Sequence, residues 1–186
     1  MGAVLSVAFS MMFSAGVTAV VPVGSEEILM EFFGTYVYDG VRWLEHLPDQ
    51  HPDLAEPWLR VDIYDSDIAT IVYRPMGPGT GVAYLGHTPR TYFEDEGASA
   101  PTDTAREAAG LTAWWDQVHG GVGEADREAK ESQLVAYLAE DIDPAEIEVH
   151  EDEDVDELDD AEIFVKVKAG RFLAALDLPV PADLSR

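Results

Sequence analysis

The sequence predicts an α+β protein: an antiparallel sheet of four to five strands with two helices packed on one face, preceded by an apolar N-terminal segment. Three observations support this prediction. Several segments in the first half of the chain alternate apolar and polar residues, which is typical of half-buried strands. The second half changes to helical spacing of its apolar residues. The connections between the first segments are short, which favours antiparallel neighbours.

The predicted strands begin with a segment that is dense in aromatic and branched residues, in which Gly34 marks a candidate bulge. The segment from Trp58 to Tyr64 has one apolar face, and the Asp65–Asp67 turn joins it to the next strand as a hairpin. The predicted strands are residues 27–38, 58–64, 68–73, 82–85 and 90–93.

The helical part of the chain opens with a capping-box pattern from Thr104 to Glu107 and stops at Gly120 and Gly121. A further helix follows, with Lys130 and its charged neighbours on the solvated side. The segment EIFVKVK alternates and therefore predicts one more strand. These elements are helices at 104–119 and 124–138, a strand at 162–168, and short helices at 41–47 and 170–176.

Composition excludes several functional classes. The 186 residues include 37 Asp and Glu, 11 Lys and Arg and no Cys, for a net charge of −26. The absence of Cys excludes disulfides, Cys-ligated zinc, iron–sulfur clusters and thiol nucleophiles. We expect no nucleic-acid binding, because neutralising phosphates requires a basic surface. Such a composition suits a solvated surface, a basic protein partner or a high-salt environment, since acid-rich, lysine-poor surfaces are typical of halophilic proteins.

Residues 1–25 contain no charged side chain. The stretch Val4–Val21 has the length of a membrane-spanning helix, and Ser6, Ser10, Ser14 and Thr18 would form one stripe of small side chains on it. Three interpretations remain open: a signal peptide, a membrane or assembly helix, and a buried segment or start-site extension. We expect a cytoplasmic protein, with membrane association through residues 1–25 as the alternative.

The remainder, residues 26–186, is predicted to form a single acidic domain with an acidic loop at 140–162. That loop has 14 acids among its 23 residues and no Lys or Arg. A run of this kind is usually a solvated loop, and it is also the most negative surface that the chain can offer to a basic partner.

Candidate metal and catalytic motifs are incomplete. Prolines separate His46 from His51 and block the helical spacing that would direct both rings at one ion. A calcium-loop pattern begins at Asp152, but Glu157 stands where the turn glycine is needed and Ile163 where the closing Glu is needed. No G-x-S-x-G occurs. We therefore predict no metal site, no cofactor and no catalytic group.

The stretch from Ile71 to Trp115 runs IVYRP, GPGTG, VAYLG, RTYFEDE and TAREAAGLTAWW. In the order of its strands, glycine loop and helix, and in its residue composition, this stretch resembles the immunity proteins of bacterial polymorphic-toxin systems. The resemblance implies a small acidic α+β protein that binds and blocks a basic toxin domain, such as a nuclease. Acidic and aromatic residues are the candidate contacts to such a partner: Asp62, Asp65, Asp67, Trp58, Trp115, Glu151, Asp152, Glu153, Asp154 and Asp156.

Two other functions stay open. One is a structural or accessory subunit of a larger assembly, membrane-linked or viral, that is anchored through residues 1–25. The other is an enzyme whose site carries no recognisable motif. The sequence favours a non-catalytic acidic binding protein, but no motif decides among the three.

The net charge of −26 leads to a testable prediction about the dependence of thermal stability on salt. At low ionic strength the acids repel one another, and added salt shortens the screening length, which is about 10 Å at 0.1 M. We expect the melting temperature, followed by circular dichroism, to rise with salt concentration. A melting temperature that is independent of salt would contradict this expectation.

Overall fold

The computed structural model describes residues 17–23, 26–44, 55–64, 67–77, 79–141 and 164–185. Five antiparallel strands form one sheet, in which spatial order follows chain order. The strands are β1 (Val17–Val23), β2 (Glu26–Tyr38), β3 (Trp58–Tyr64), β4 (Ile68–Arg74) and β5 (Gly81–Gly86).

Strands β2 to β5 confirm the alternation seen in the sequence. The register of β2 against β3 shifts between Phe32 and Gly34, which confirms the bulge expected at the glycine. One face of this sheet forms the hydrophobic core, and its central side chains have no solvent exposure. The core positions of β3, β4 and β5 are Leu59, Val61, Ile63, Ala69, Ile71, Tyr73, Ala83 and Leu85.

The predicted strand at 90–93 is wrong. Residues Pro89–Tyr92 form a short helix, α1. Thr88 is its N-cap, since Thr88 Oγ1 accepts a hydrogen bond from the Thr91 N–H at 3.3 Å, and Pro89 occupies the first turn. A hydroxyl residue followed by proline is a helix-start signal, and here it prevails over the aromatic, branched composition of the segment.

Helices α2 (Thr104–His119) and α3 (Glu124–Val135) confirm the two main helical predictions. The expected cap Thr104 is wrong by one residue: Asp103 caps α2 by accepting a hydrogen bond from the Arg106 N–H at 3.0 Å, and Thr104 is the first helical residue. The helix ends at Gly120, which adopts a left-handed conformation with φ 84°. The chain continues from α3 through turns that bury Leu138.

The strand predicted at 162–168 is also wrong over its described part, because Val165–Ala175 forms helix α4. Residues 162 and 163 lie outside the described ranges. Val165, Ala169, Phe172 and Leu173 are buried on one side of α4, a spacing of three and four that the seven-residue alternation conceals. The short helix expected at 170–176 is the second half of α4.

Helices α2 and α4 lie against β4 and β5, whereas α3 packs mainly on α2. The α+β class with helices on one face of an antiparallel sheet is therefore confirmed, with α4 in the place expected for α3. In the segment expected to form a helix at 41–47, Trp43 makes a β-bridge to Tyr38 and residues 41–44 are not helical. Residues 45–47 are outside the described ranges.

The apolar N-terminal segment enters the sheet as β1, where Val17–Val23 pairs with β2. Residues 17–21, the end of the stretch considered as a helix, are thus in a strand, and residues 1–16 lie outside the described part. No helix among the described residues is long and apolar enough to span a membrane.

The turn that joins β5 to α1 makes a stability prediction. Gly86 has φ 78°, and a Cβ there would lie 2.0 Å from the backbone oxygen of Asp67. Gly120 has a similar φ of 84° but no neighbour within 4 Å of a built Cβ. We expect Gly120→Ala to cost about 1–2 kcal/mol of unfolding free energy through backbone strain alone. Gly86→Ala should cost at least about 3 kcal/mol, because a steric clash is added.

Urea unfolding of both variants at one high salt concentration measures the difference. Equal losses for Gly86→Ala and Gly120→Ala would show that the close contact between the β5 end and the β3–β4 turn is absent.

Candidate partner-binding face

The face of the sheet opposite the described helices carries polar and aromatic residues. In β3 these residues alternate with the core positions and include Trp58, Arg60, Asp62 and Tyr64. The register aligns Thr35 with Asp62 and Asp62 with Thr70 across three strands. We call this surface the open face; its residues on β2 to β5 are Thr35, Val37, Trp58, Arg60, Asp62, Tyr64, Ile68, Thr70, Val72, Arg74, Val82 and Tyr84, of which Thr35, Val37, Asp62 and Ile68 are buried.

Asp62 lies in the middle of the open face, and its carboxylate is engaged within the chain. Arg60 Nε lies 2.7 Å from Asp62 Oδ2, and Thr35 Oγ1 donates a hydrogen bond to Asp62 Oδ1. The residue is only 6% exposed. A buried carboxylate needs this pairing, and the pairing leaves it little capacity to meet an incoming cation.

The aromatic residues of the open face are half-buried: Trp58, Tyr64 and Tyr84 each expose part of their surface. Burial raises the pKa of Tyr64, and the nearby Asp62 charge raises it further. Burial also raises the pKa of Tyr84. These phenols therefore stay neutral at physiological pH. Partly exposed, rigid aromatic rings are the side chains that most often dominate protein–protein binding energy.

Asp67, the described candidate contact at the β3–β4 turn, lies far from Trp58. Asp67 is half-buried at the turn, and its backbone oxygen accepts the His87 N–H at 2.9 Å. Trp58 begins β3 and Asp67 follows its far end, so about 20 Å separates them along the strand. Asp65 lies outside the described residues. The hairpin thus has Trp58 at one end and Asp67, three residues after Tyr64, at the other.

Trp115 is not part of the open face. It lies on α2 beneath the other face of the sheet and is 6% exposed. Its Nε1–H donates to Asp177 Oδ2 at 2.9 Å. The remaining predicted contacts, Glu151, Asp152, Glu153, Asp154 and Asp156, lie outside the described residues.

Lys130 packs against Trp115 and is mostly shielded from solvent, whereas the sequence predicts a solvated side chain. Its Nζ lies 4.5 Å from the centroid of the Trp115 ring and 2.9 Å from Asp177 Oδ2, and its side chain is 11% exposed. The hydrogen bond from Lys130 holds the pKa of Asp177 below its ordinary value, with a smaller contribution from Trp115. This cluster ties α2 and α3 to the end of α4, and the sequence contains no signal for it.

A groove of about 480 Å³ opens beside this cluster. Trp115 and Lys130 form part of its wall, and the rest comes from exposed residues of α3 and from Val122 in the connection between α2 and α3. The lining residues are Trp115, Val122, Asp126, Ala129, Lys130 and Gln133. Because Lys130 already contacts Asp177 and the Trp115 ring, the groove offers a bound molecule no unengaged cation.

Glu107 has a different role from the one its capping-box position predicts. It is 3% exposed and accepts a hydrogen bond from Tyr73 Oη at 2.8 Å, and Arg106 Nη2 lies 2.7 Å from its other oxygen. Burial, followed by the Glu107 hydrogen bond, raises the pKa of Tyr73. The close approach needs Gly110, because a Cβ there would lie 2.1 Å from Tyr73 Oη. This network joins α2 to β4.

Most of the few Lys and Arg side chains form ion pairs with acids of the same chain. The described ion pairs are Arg42–Asp39, Arg60–Asp62, Arg74–Glu56, Arg106–Glu107, Arg127–Asp116 and Lys130–Asp177. By contrast, Glu124, Asp126 and Glu128 are exposed on α3, and residues 94–96 form another exposed acidic stretch. The excess of acidic over basic residues therefore makes the electrostatic potential at the surface negative.

Within the described part of the chain, no group of three or more His, Asp and Glu is arranged to hold a metal ion. The histidine-containing loop at 46–53 and the calcium-loop pattern from Asp152 lie outside that part. No protein-family model, curated protein or solved structure matches this chain.

The Lys130 cluster predicts a pH-dependent stability difference. We expect Lys130→Met to lose about 1 kcal/mol of unfolding free energy at pH 7, a modest loss because Asp177 is 57% exposed and solvent screens the pair. The lowered pKa of Asp177 means that its contribution is present above its unfolded pKa, about 3.9, and is lost as pH falls through the lower folded pKa.

Urea unfolding of wild type and Lys130→Met between pH 7 and pH 3 tests this. The difference should be constant above about pH 5 and should shrink below about pH 4. Lys166→Met, on the first turn of α4, removes the same charge and serves as the control. A loss for Lys130→Met that matches the control at every pH would contradict the proposed contact.

Proposed function

We propose that the protein is a non-catalytic acidic binding domain whose partner is a basic protein, in the manner of an immunity-type inhibitor of a basic toxin or nuclease. The observation that carries the proposal is the open face. It presents partly exposed Trp58, Tyr64 and Tyr84 on the rigid strands of a sheet whose other face is fully used by the core. Aromatic side chains held on a regular sheet lose little conformational entropy when a partner binds.

Electrostatics supports a basic partner. The net charge is −26, and six of the cations are already paired with acids of the same chain. A nuclease must carry a basic surface to meet phosphate, and an acidic inhibitor can cover that surface. The attraction would raise the association rate by about 10- to 1,000-fold at low salt.

Within the open face, the residues differ in what they offer a partner. Trp58, Tyr64 and Tyr84 supply contact area, whereas Asp62 holds Arg60 and Thr35 in position between them. Asp67 supplies negative charge at the far end of the hairpin. Trp115 supports the fold through Asp177 and Lys130 and is not proposed as a contact.

A structural subunit of a larger assembly is the second candidate. It is favoured by one observation, the entry of the uncharged N-terminal segment into the sheet as β1. In that case residues 1–25 would hold copies or partners together, and the open face would be secondary.

The test is capture from an extract of the source cells on immobilised protein, with wild type and Trp58→Ala side by side. The proposal predicts one dominant basic protein on the wild type, released as salt rises. Because Trp58 is the aromatic anchor at the start of β3, Trp58→Ala should retain at least about 10-fold less of it.

Val135→Ala is the matched control, since Val135 is an apolar residue that is 38% exposed on α3, away from the open face. It should retain the basic protein as wild type does. Capture of no basic protein, or equal retention by Trp58→Ala once its fold is verified by circular dichroism, would contradict the proposal.

A further inference from the structure

The groove beside the Lys130 cluster is on the helical side of the molecule, because α3 packs on α2 and α2 covers the core face of the sheet. The open face is on the other side. The groove has a volume of about 480 Å³, and binding clefts typically have about 300–1,000 Å³. All of its lining residues belong to the described part of the chain. It is therefore large enough for a side chain and the short segment of backbone that carries it.

One side of the groove is a single row of α3. Asp126, Ala129 and Gln133 are spaced three and four residues apart, which aligns their side chains along one face of the helix. The two ends of this row are about 10 Å apart along the helix axis. Ala129 and Val122 supply most of the apolar surface, since Trp115 is only 6% exposed. The row thus has a carboxylate at one end, an amide at the other and an apolar surface between them.

The charges that line the groove favour a cation as its occupant. Lys130 is engaged by Asp177 at 2.9 Å and by the Ala175 carbonyl oxygen. Asp126, by contrast, is exposed and forms no ion pair within the described part of the chain. Its unpaired negative charge lies beside the apolar surface of Ala129. A side chain with a long apolar stem and a cationic end complements this combination.

We propose that the groove binds an arginine side chain on an extended segment of a basic protein. The arginine stem lies against Val122 and Ala129, and the guanidinium donates two hydrogen bonds to the Asp126 carboxylate. The Gln133 amide is placed to hydrogen-bond the backbone of the segment. Arginine fits better than lysine, because its planar guanidinium matches both carboxylate oxygens at once. The inference rests on the proposed function for the class of partner, but it uses a different surface from the open face.

Other occupants match the groove less well. An acidic ligand or a nucleic acid would place negative charge beside Asp126, in a chain whose net charge is −26. A second copy of the chain would bring the same excess of acids. A neutral apolar ligand would remove the Asp126 carboxylate from water without pairing it, which lowers affinity.

A peptide titration tests the proposal. The probe is a capped pentapeptide with one arginine between two pairs of glycines, added to the isotope-labelled full chain in about 0.15 M NaCl and followed by NMR. We expect saturable shifts of the Ala129 and Gln133 amide signals. The same peptide with lysine in place of arginine should bind at least about 3-fold more weakly, since an ammonium group does not pair with both carboxylate oxygens.

Two variants of α3 separate the groove from the general acidity of the surface. Asp126→Asn should weaken binding of the arginine peptide at least about 10-fold, because it removes the paired charge. Glu128→Gln is the matched control, since it removes the same charge from an exposed position of α3 that does not line the groove. It should change the affinity less than about 2-fold. Trp58→Ala, on the open face, should bind the peptide as wild type does.

The proposal is overturned if the arginine peptide causes no saturable shifts, if the lysine peptide binds equally well, or if Asp126→Asn and Glu128→Gln weaken binding to the same extent. Each of these results leaves the proposed function intact where wild type still captures a basic protein and Trp58→Ala does not. The reverse result, specific peptide binding without capture of a basic protein, would contradict the proposed function and leave the arginine site in place.

Discussion

Burial of one face of the sheet against α2 and α4 is the constraint on which the rest of this structure depends. Strands β3 to β5 alternate with period two, and every second residue, such as Val61 and Ile71, is removed completely from solvent by α2 and α4. A shift of one residue in any strand would move these apolar side chains to the other face. The same alternation determines the composition of the open face, because Trp58, Asp62 and Tyr64 are the residues left between the core positions.

The scarcity of cations adds a second constraint. With 11 bases for 37 acids, the fold pairs individual bases with buried or half-buried acids or across elements: Arg60 pairs with Asp62 on β3, Arg106 with the buried Glu107 on α2, and Lys130 of α3 with Asp177 at the end of α4. The remaining acids determine the surface potential. We propose that this acidic exterior is what attracts a basic partner.

The sequence predicted what local periodicity encodes and missed what tertiary contacts decide. The β3–β4 hairpin, the Gly34 bulge and the Gly120 helix end were all predictable because each depends on a short pattern. Helix α4 was missed because EIFVKVK alternates over seven residues, whereas its buried side extends to Leu173. The roles of Lys130 and Asp177 were not predictable, since the pair joins residues 47 positions apart. The segment that forms β1 is uniformly apolar, so its hydrophobic pattern shows neither the period of a strand nor that of a helix. Its β-branched residues are the local signal that favours a strand there.

The central claim is that this acidic domain acts by binding a basic protein. Native mass spectrometry of the protein, purified gently from its own source, measures the composition of its complexes directly. The account predicts one copy of a basic protein for each chain, lost progressively as salt is raised before transfer to the spectrometer. Complexes that contain only copies of this chain, or partners with no excess of basic residues, would contradict it.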